Sequence, residues 1–247
     1  MQLVILAAGQ GIRLGAEAQS RPKSLVPIYN DTTYLSLQIN QFKKFNFSKI
    51  IIVGGYGYED LKQFLATQTK FKSQLIYNKD YKKGNLYTVL TAKELITEDF
   101  YLFNADHFYS ENNYQKIFNS KKQNINICCD TDRILTDDDM KVVYNNANHT
   151  VSMSKTLNDY NYGYVGVSYI PTSCLNTYWK ACDLTAQKLG EKANVEAVIN
   201  ELSLSQNQID LVDISGSWWT EIDTPDDLVK AKKIILKNSD LSFDQAS

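Results

Sequence analysis

The feature that most constrains the fold is a short apolar run at the start of the chain that opens directly into a glycine-containing turn. Residues 3–6 are apolar without interruption, which is typical of a strand buried in a parallel sheet. The run continues into Ala7-Ala8-Gly9-Gln10-Gly11-Ile12-Arg13, and Pro22-Lys23 follows. Glycine lets backbone N–H groups approach oxyanions closely, and the arginine and lysine add positive charge. The segment therefore predicts a strand followed by a loop that binds a phosphate-rich ligand.

The spacing of this loop separates it from two common nucleotide-binding motifs. Its Gly-x-Gly-x-Arg pattern differs from the dinucleotide fingerprint Gly-x-Gly-x-x-Gly, and it lacks the Gly-Lys-Ser/Thr end of a Walker loop. A turn without a ligand is the alternative interpretation, because short glycine motifs also occur by chance. The two alanines before the glycines and the Pro-Lys pair after them favour phosphate binding.

Strand-like and helix-like patterns alternate through the first half of the chain. Strands are predicted at 3–6, 49–53, 74–77 and 99–104, and helices at 33–45, 58–65 and 85–96. This alternation predicts an α/β fold with a doubly wound, Rossmann-like sheet that is mixed but mostly parallel.

The second half of the chain has a different pattern. Strands are predicted over 125–129, 141–144, 150–153, 163–170 and 208–212. Helices are predicted near 174–180, 195–202 and 225–236, the last with Pro225 in its first turn. The pattern predicts a small β-rich extension around a second pocket, within one domain that spans residues 1–238 and is followed by a tail at 239–247.

Composition argues against several classes of protein. The net charge of −2 over 247 residues indicates no general surface for nucleic acid or for an anionic membrane. No apolar run reaches the roughly 20 residues that a membrane-spanning helix needs, and no basic region or cleavage site marks a secretion signal. Four cysteines without Cys-x-x-Cys spacing and only two histidines argue against a zinc site. We therefore expect a cytoplasmic protein with reduced thiols and no membrane insertion.

Two aspartates far apart in the chain are candidates for metal binding. Asp106 follows an apolar strand, at the edge where ligands collect in open α/β sheets, and Asp223 lies between a short strand and a helix. Carboxylates at such positions can hold a hard divalent cation such as Mg²⁺ beside a triphosphate. A turn or a helix N-cap is the alternative for each aspartate.

The full N-terminal pattern, Leu-Ala-Ala-Gly-x-Gly-x-Arg-Leu followed by Pro-Lys, resembles the signature of the nucleotidyltransferases that make nucleotide sugars and CDP-alcohols. Asp106 and Asp223 match the family pattern in the same order, and the resemblance extends to about residue 236. The segment Tyr81-Lys82-Lys83-Gly84-Asn85-Leu86-Tyr87-Thr88 replaces the Gly-Thr-Ala-Gly-like segment of the hexose-1-phosphate enzymes. It is similar to the CTP-using branch, which includes inositol-1-phosphate and phosphocholine cytidylyltransferases. Further similarities to that branch are Ala105-Asp106-His107-Phe108-Tyr109-Ser110, Asp139-Met140-Lys141-Val142 and Ser154-Lys155.

The resemblance implies that residues 1–110 form the half of the domain that binds CTP. The residues it assigns to the nucleotide are Leu6, Ala7, Ala8, Gly9, Gly11, Arg13, Gly84, Asn85 and Ala105. It assigns catalysis to Arg13, Lys23, Asp106 and Asp223, with the two aspartates holding Mg²⁺ as the cofactor. Arg13 is expected to bind the leaving pyrophosphate, and Lys23 is expected to stabilise charge at the α-phosphate.

Residues 111–238 are expected to bind the second substrate, a small phosphorylated alcohol or amine. The candidate residues for this acceptor are Lys141, Lys155, Tyr164, Glu196 and Trp219. The lysines suit its phosphate, and the aromatic residues suit a choline group. The alternatives are a solvated face for each lysine, core packing for the aromatic residues and a helix-surface position for the glutamate. Inositol phosphate, phosphocholine, an aminoalkyl phosphonate and a phosphorylated amino acid all stay open as acceptors, and so does a homodimer.

Other functions are compatible with parts of the sequence. A sugar-1-phosphate nucleotidyltransferase that uses UTP, dTTP or GTP would keep the N-terminal loop, although the missing Gly-Thr-Ala-Gly-like segment argues against it. A non-catalytic nucleotide-binding regulatory protein would be expected to lose some of the four catalytic candidates, and all four are present. A glycosyltransferase would show Asp-x-Asp after the fourth strand, where this chain has Asp106-His107-Phe108; Asp130-Thr131-Asp132 has that spacing without a phosphate loop.

Overall fold

The structure, a computed structural model, describes residues 1–18, 21–120 and 123–238, so the predicted tail at 239–247 lies outside the described residues. The strands are β1 (Gln2–Ala7), β2 (Pro27–Tyr29), β3 (Thr32–Thr33), β4 (Lys49–Gly54), β5 (Gln74–Tyr77), β6 (Phe100–Asn104), β7 (His107–Tyr109), β8 (Ile125–Asp130), β9 (Lys141–Asn145), β10 (Thr150–Ser154), β11 (Tyr162–Ile170), β12 (Ile209–Asp213) and β13 (Trp219–Glu221). The α-helices are α1 (Tyr34–Phe42), α2 (Tyr58–Thr67), α3 (Leu86–Thr91), α4 (Glu111–Asn119), α5 (Leu175–Leu189), α6 (Val195–Leu204) and α7 (Pro225–Asn238). Within these described ranges, no helix combines the length and the apolar character needed to cross a bilayer.

A large central sheet organises the chain, with strand order β10-β9-β11-β6-β1-β4-β5; β8 pairs with β11, and β12 pairs with β8. The strands β6, β1, β4 and β5 are parallel neighbours, as the alternating pattern predicts. Strand β11 runs antiparallel to β6 at the border of this parallel part. It is also antiparallel to β8 and β9, and β8, β9, β10 and β11 form the predicted β-rich extension. The doubly wound α/β fold predicted from the sequence is therefore present.

Burial of both faces of β1 explains the unbroken apolar run at the N-terminus. Leu3 and Ile5 pack into the core on one side of the sheet with side chains of α1, α4 and α7. Val4 and Leu6 pack on the other side with side chains of α3, α5 and α6. Each buried aliphatic side chain contributes about 1.5–3 kcal/mol, so a polar residue at one of these positions would remove a large part of the stability of an ordinary domain.

Strand pairing brings the N-terminal loop and both candidate aspartates to one edge of the sheet. Strands β1 and β6 are parallel, with Leu6 opposite Asn104, so the loop after β1 and the turn after β6 leave the sheet side by side. Strand β7 pairs with β13, and the Ile222 N–H donates to the Asp106 carbonyl oxygen at 3.1 Å. Asp223 is the next residue after Ile222 and therefore lies beside Asp106. Its position depends on the pairing of β7 with β13, two strands of three residues each.

The structure differs from the sequence prediction at several helices. Residues 85–96 form α3 and a separate 3₁₀ turn at Lys93–Leu95 instead of one helix. Helix α5 continues well beyond the predicted 174–180, because the small residues Ala181 and Cys182 extend its buried face. Helix α4 was not predicted, because its sequence is rich in asparagine, yet Ser110 caps it by accepting the Asn113 N–H at 3.2 Å.

Candidate active site

The side chain of Lys23 lies at the centre of the candidate site. Its ammonium donates to Asp106 Oδ2 at 2.6 Å and also to Asp223 Oδ1. The lysine side chain is 11% exposed, so the two carboxylates converge on a largely buried charge. Arg13 adds a second cation, since its Nη2 donates to Asp223 Oδ2 at 2.7 Å. The structure thus brings together the four residues to which the sequence assigned catalysis.

The N-terminal loop forms one wall of a small crevice beside Lys23. The crevice holds about 30 Å³ and is lined by Leu6, Ala7, Gly9, Lys23, Ser24, Ala105 and Asp106. A Cβ added at Gly9 would meet no atom within 4 Å, so the front of the loop faces open space. Five of the residues that the sequence assigned to the nucleotide or the metal therefore line a single crevice with Lys23.

A second glycine segment, Gly54-Gly55 after the strand predicted at 49–53, packs against the back of this loop. The Tyr56 N–H donates to the Ala8 carbonyl oxygen at 3.1 Å. A Cβ added at Gly55 would lie 2.9 Å from both the Cβ and the carbonyl oxygen of Ala8, which is too close for any residue larger than glycine. The pair Gly54-Gly55 at the end of a strand was the available signal for this close approach.

Gly84 and Asn85, which were predicted to bind the nucleotide, pack closely against the segment that leads into α6. The Gly84 N–H donates to the Glu191 carbonyl oxygen at 2.7 Å, and a Cβ added at Gly84 would lie 1.9 Å from the Ala193 carbonyl oxygen. Asn85 Oδ1 accepts the Val195 N–H at 2.9 Å. The two halves of the predicted domain are therefore joined at this point by close backbone packing.

Charge in the site is fixed by the contacts around Asp106. Burial alone would raise the pKa of Asp106, but the charges of Lys23 and His107 hold that pKa well below its usual range. Burial alone would lower the pKa of Lys23, but Asp106 and Asp223 raise it above its ordinary value. At neutral pH the lysine is therefore an ammonium, and Asp106 is a carboxylate.

His107 links Asp106 to a further carboxylate that sequence reasoning missed. Its Nδ1 donates to Asp106 Oδ1 at 2.6 Å, and its Nε2 lies 3.1 Å from Glu221 Oε2. Burial opposes the charged ring, but the two carboxylates raise the pKa of His107 to about 10. Burial would raise the pKa of Glu221, but the contact with His107 lowers it to about 2. Both ring nitrogens therefore carry protons, and the histidine is a fixed cation between two anions.

The predicted acceptor residue Trp219 packs against this histidine. The two rings are stacked, with centroids 5.6 Å apart and an interplanar angle of 5°. The Arg133 guanidinium lies 4.3 Å from the centroid of the indole ring, and the indole N–H donates to Asp130 Oδ2 at 2.6 Å. Because Trp219 is about 8% exposed, it mainly packs within the protein and offers only a small surface to ligands.

The two candidate acceptor lysines occupy different environments. The Lys141 ammonium donates to the carbonyl oxygens of Thr136 and Lys155 at 2.8 and 2.7 Å, and this side chain is buried. The Lys155 side chain is 47% exposed, and its ammonium lies 3.7 Å from Asp138 Oδ1. Lys141 therefore braces the backbone around it, and Lys155 is the lysine with an accessible ammonium.

Two further acceptor candidates, Tyr164 and Glu196, lie on the side of the sheet that carries α6. The Tyr164 hydroxyl shares a hydrogen bond of 2.9 Å with Ser168, and its ring is buried in the core there. Glu196 is in the first turn of α6, where burial raises the pKa of its carboxyl group while the charges of Lys155 and His107 act in the opposite direction. Tyr164 is thus part of the packing, and Glu196 faces the same region as Lys155 and His107.

A larger cleft of about 410 Å³ opens beside Arg13 and Asp223. Its lining is mixed in charge: the cations are Arg13, Arg133 and Lys230, and the acids are Asp138, Asp139, Glu221, Asp223 and Asp227. Trp219 also lines it, whereas Lys141, Lys155, Tyr164 and Glu196 do not. Of the five predicted acceptor residues, Trp219 is therefore the one that lines this cleft.

The two aspartates suit the metal that the resemblance implies. Mg²⁺ is usually bound by one or two protein carboxylates together with substrate phosphates and water. Asp106 and Asp223 direct one oxygen each at the same point, now marked by the Lys23 ammonium. Among the residues that the structure describes, no group of three or more His, Cys, Asp and Glu side chains is placed to hold a metal ion. Two carboxylates fit an ion that is shared with a phosphate ligand, provided that the Lys23 ammonium moves away from the point between them.

Comparison with known proteins identifies a family and several relatives. The profile of the family described as the MobA-like NTP transferase domain matches residues 3–151. The bifunctional IPC transferase and DIPP synthase of Aquifex aeolicus is 25% identical over 239 residues, which are 96% of this chain and 52% of that protein. The choline-phosphate cytidylyltransferase of Streptococcus pneumoniae is 32% identical over 116 residues, which are 47% of this chain and 48% of that protein. A UTP–glucose-1-phosphate uridylyltransferase of Haloferax volcanii is 29% identical over 112 residues, which are 45% of this chain and 46% of that protein.

The chain spans about half the length of these curated relatives. Among solved structures, the inositol-1-phosphate CTP transferase from T. maritima superposes with a TM-score of 0.81 at 21% identity, covering 97% of this chain and 96% of that chain. This likeness confirms the predicted fold. The family match confirms the resemblance that the N-terminal loop predicted.

Proposed function

Because this chain belongs to the MobA-like NTP transferase domain family, we propose that it is a cytidylyltransferase, which joins CTP to a small phosphorylated alcohol or amine and releases pyrophosphate. The observation that carries the proposal is the convergence of two cations, Arg13 and Lys23, on two carboxylates, Asp106 and Asp223, beside a glycine-containing loop. Such a set of groups can neutralise the charge that a triphosphate and a phosphate monoester bring into one site.

In the proposed reaction, a phosphate oxygen of the acceptor attacks the α-phosphorus of CTP. A new P–O bond forms, the bond from the α-phosphorus to the β-bridging oxygen breaks, and pyrophosphate leaves with the electron pair. A phosphate monoester has a second pKa of about 6 and is already ionised at neutral pH, so the site needs no strong base. Catalysis of this kind depends on positioning and on charge neutralisation.

Each cation has a separate task in this scheme. The Lys23 ammonium lies between Asp106 and Asp223 in the free protein. When these carboxylates hold Mg²⁺, the ammonium would turn from that point to the α-phosphate and stabilise the charge that develops there. Arg13 is 49% exposed and can turn toward the leaving pyrophosphate. His107 keeps the Asp106 carboxylate oriented from the opposite side. Asp106 and Asp223 are the residues that would hold Mg²⁺, which supplies further neutralisation of phosphate charge when it is bound.

The choice of CTP and of a phosphorylated alcohol or amine is supported by the relatives named above, among them a choline-phosphate cytidylyltransferase. Glu196 and Lys155 interact electrostatically. The Glu196 carboxylate can accept hydrogen bonds from a hydroxyl or amine group of the second substrate, and the Lys155 ammonium can bind its phosphate. A sugar-1-phosphate nucleotidyltransferase is the second candidate, and the uridylyltransferase relative favours it.

Pyrophosphate release with a matrix of substrates tests the proposal. The purified chain with Mg²⁺ is incubated with CTP, UTP, dTTP or GTP, and each nucleotide is combined with inositol phosphate, phosphocholine, an aminoalkyl phosphonate, a phosphorylated amino acid or a sugar 1-phosphate. We expect turnover with CTP and one of the first four acceptors. Turnover only with a sugar 1-phosphate and another nucleotide would establish the second candidate, and nucleotide binding with no turnover would establish a regulatory protein.

A matched pair of variants ties the activity to the site. Asp106→Asn keeps the shape of the side chain and removes its charge, and we expect it to lower turnover at least about 100-fold. Asp226→Asn removes an exposed carboxylate from the first turn of α7 and is expected to leave turnover within about twofold. Normal turnover by a folded Asp106→Asn protein would contradict the assigned role of Asp106.

A further inference from the structure

One exposed carboxylate contacts a cation from each of the two proposed substrate regions. Asp138 Oδ2 lies 3.1 Å from Arg13 Nη1, and Asp138 Oδ1 lies 3.7 Å from Lys155 Nζ. Arg13 belongs to the nucleotide loop, and Lys155 follows β10 and interacts electrostatically with Glu196 of α6. Because both contacts are made by the two oxygens of a single carboxyl group, the two cations lie within the span of one phosphate-sized anion.

We propose that Asp138 is a displaceable substitute for a substrate phosphate, and that Arg13 and Lys155 together form a clamp for one phosphate group. The proposal rests on the function proposed above and changes one assignment in it: Lys155 joins Arg13 on a phosphate of the pyrophosphate moiety instead of binding only the acceptor's phosphate. In the free protein Asp138 fills the clamp. When a phosphate enters, it takes the place of the carboxylate between the arginine and the lysine, and the Asp138 side chain turns toward solvent.

Exposure makes this exchange favourable. The Asp138 side chain is 70% exposed, and the cations it contacts are 49% and 47% exposed. Ion pairs in such surroundings are weak, because water screens them and long side chains lose freedom in making them. A phosphate brings more negative charge and three oxygens, and its hydrogen bonds to arginine and lysine are charge-assisted. The carboxylate therefore holds the cations in place without excluding the ligand.

The neighbouring aspartates separate this role from the general charge of the loop. Asp139 is buried and has a folding role, since its Oδ2 accepts the Thr136 N–H at 2.6 Å and its Oδ1 meets Arg133 Nη2 at 2.9 Å. Asp137 is exposed and makes no ion pair with any residue in the described part of the chain. Asp137→Asn is thus a matched control for Asp138→Asn: it removes the same charge from the same loop.

Calorimetric titration with inorganic pyrophosphate tests the clamp. We expect Asp138→Asn, and equally Asp138→Ala, to lower the Kd for pyrophosphate about threefold to tenfold relative to the unmodified protein, since two weak ion pairs no longer compete with the ligand. Asp137→Asn should change the Kd by less than about twofold. The difference between the two variants should shrink as salt is raised, because the competing pairs are exposed. A Kd that is unchanged or higher in Asp138→Asn, or a gain that Asp137→Asn shares in full, would overturn the proposal.

A double-mutant cycle assigns the effect to the clamp. In a Lys155→Ala background, the gain caused by Asp138→Asn should fall to about half or less, because one of the two freed cations is missing. A gain of undiminished size in that background would show that Asp138 acts elsewhere.

The same titrations, repeated with CTP, distinguish failure of this inference from failure of the proposed function. An unmodified protein that binds pyrophosphate but neither binds nor consumes CTP would contradict the cytidylyltransferase function and leave the clamp intact. Turnover with CTP in which Asp138→Asn lowers neither the KM for CTP nor the KM for the acceptor would contradict the clamp alone. We expect a lower KM with kcat changed by less than about twofold, a separation that a merely structural residue would not produce.

Discussion

The Nε2 atom of His107 lies 3.1 Å from Glu221 Oε2, across the pairing of β7 with β13. The other ring nitrogen, Nδ1, donates to Asp106 Oδ1. One imidazolium on β7 therefore contacts both Asp106 and Glu221, which lies on β13 two residues before Asp223. The contact thus couples the position of the candidate catalytic carboxylate to the pairing of two short strands that define this edge of the site.

His107→Gln should destabilise the protein by about 2–4 kcal/mol, because removal of one partner from a buried ion pair leaves uncompensated charge. Urea unfolding at pH 7 measures the effect. His149→Gln is the matched control: His149 also meets a carboxylate, Asp210, at 3.0 Å, but its side chain is 40% exposed, and we expect a cost below about 1 kcal/mol. Equal costs for the two variants would contradict a special role for His107.

Stability should depend on pH through His107 between about pH 6.5 and pH 10. The pKa of His107 is raised from 6.5 to about 10 by its two carboxylates, against the effect of burial. A raised pKa in the folded state means that the contribution is fully present below pH 6.5 and is lost as pH rises through 10. The difference in free energy of unfolding between the unmodified protein and His107→Gln should therefore shrink from pH 7 to pH 10. A constant difference across this range would show that the imidazolium charge is not the cause.

Gly166→Ala should damage the same contact from the neighbouring strand. Gly166 has φ +79°, and a Cβ there would lie 2.8 Å from Asn104 Nδ2 and 2.9 Å from His107 Nε2. The backbone conformation alone costs about 1–2 kcal/mol for alanine, and the clash adds to it, so we expect a loss of about 2–4 kcal/mol and reduced turnover. Gly216→Ala, with φ +86° and nothing within 4 Å of the added Cβ, should show the backbone cost alone and keep its turnover.

The sequence predicted the charged residues at the centre of the site but not the residues that hold them in position. The loop of Gly9, Arg13 and Lys23 and the two aspartates could be found because local spacing and a family pattern mark them. Glu221 and Arg133 could not be found, because their roles arise from the pairing of β7 with β13 and from a stack on Trp219, and neither leaves a periodic signal. A short strand in isolation does not indicate its partner, since pairing is decided by tertiary packing.

The two predicted acceptor lysines could be found from the sequence but could not be told apart. Lys141 and Lys155 are the same residue type, and both belong to the family pattern. The Lys141 ammonium donates to two backbone carbonyl oxygens, whereas the Lys155 ammonium is accessible. The folded positions of the Thr136 and Lys155 carbonyl groups decide that Lys155, and not Lys141, has the accessible ammonium. Burial of a cation is not visible in a local sequence pattern.

Gly9→Ala should separate ligand binding from folding. A Cβ at Gly9 would meet nothing within 4 Å, and its backbone has no positive φ, so the urea midpoint should stay within experimental error of the unmodified value. Under the proposed function, the added methyl group would stand where backbone N–H groups approach the triphosphate, and we therefore expect the Kd for CTP to rise about tenfold or more. Gln10→Ala is the control on the same loop. An unchanged Kd for CTP in Gly9→Ala would remove the loop from the nucleotide site.

Lys23→Met should abolish turnover and also destabilise the fold, because Asp106 and Asp223 would then face each other without the ammonium between them. We expect a loss of about 2–3 kcal/mol in urea unfolding, given that both carboxylates are partly exposed. Adding Asp223→Asn to Lys23→Met removes the repulsion and should restore about half of that stability. It should restore no pyrophosphate release, since the charge needed at the α-phosphate is still missing. If the double variant regained turnover together with stability, the effect of Lys23 on the reaction would be indirect, through the fold alone.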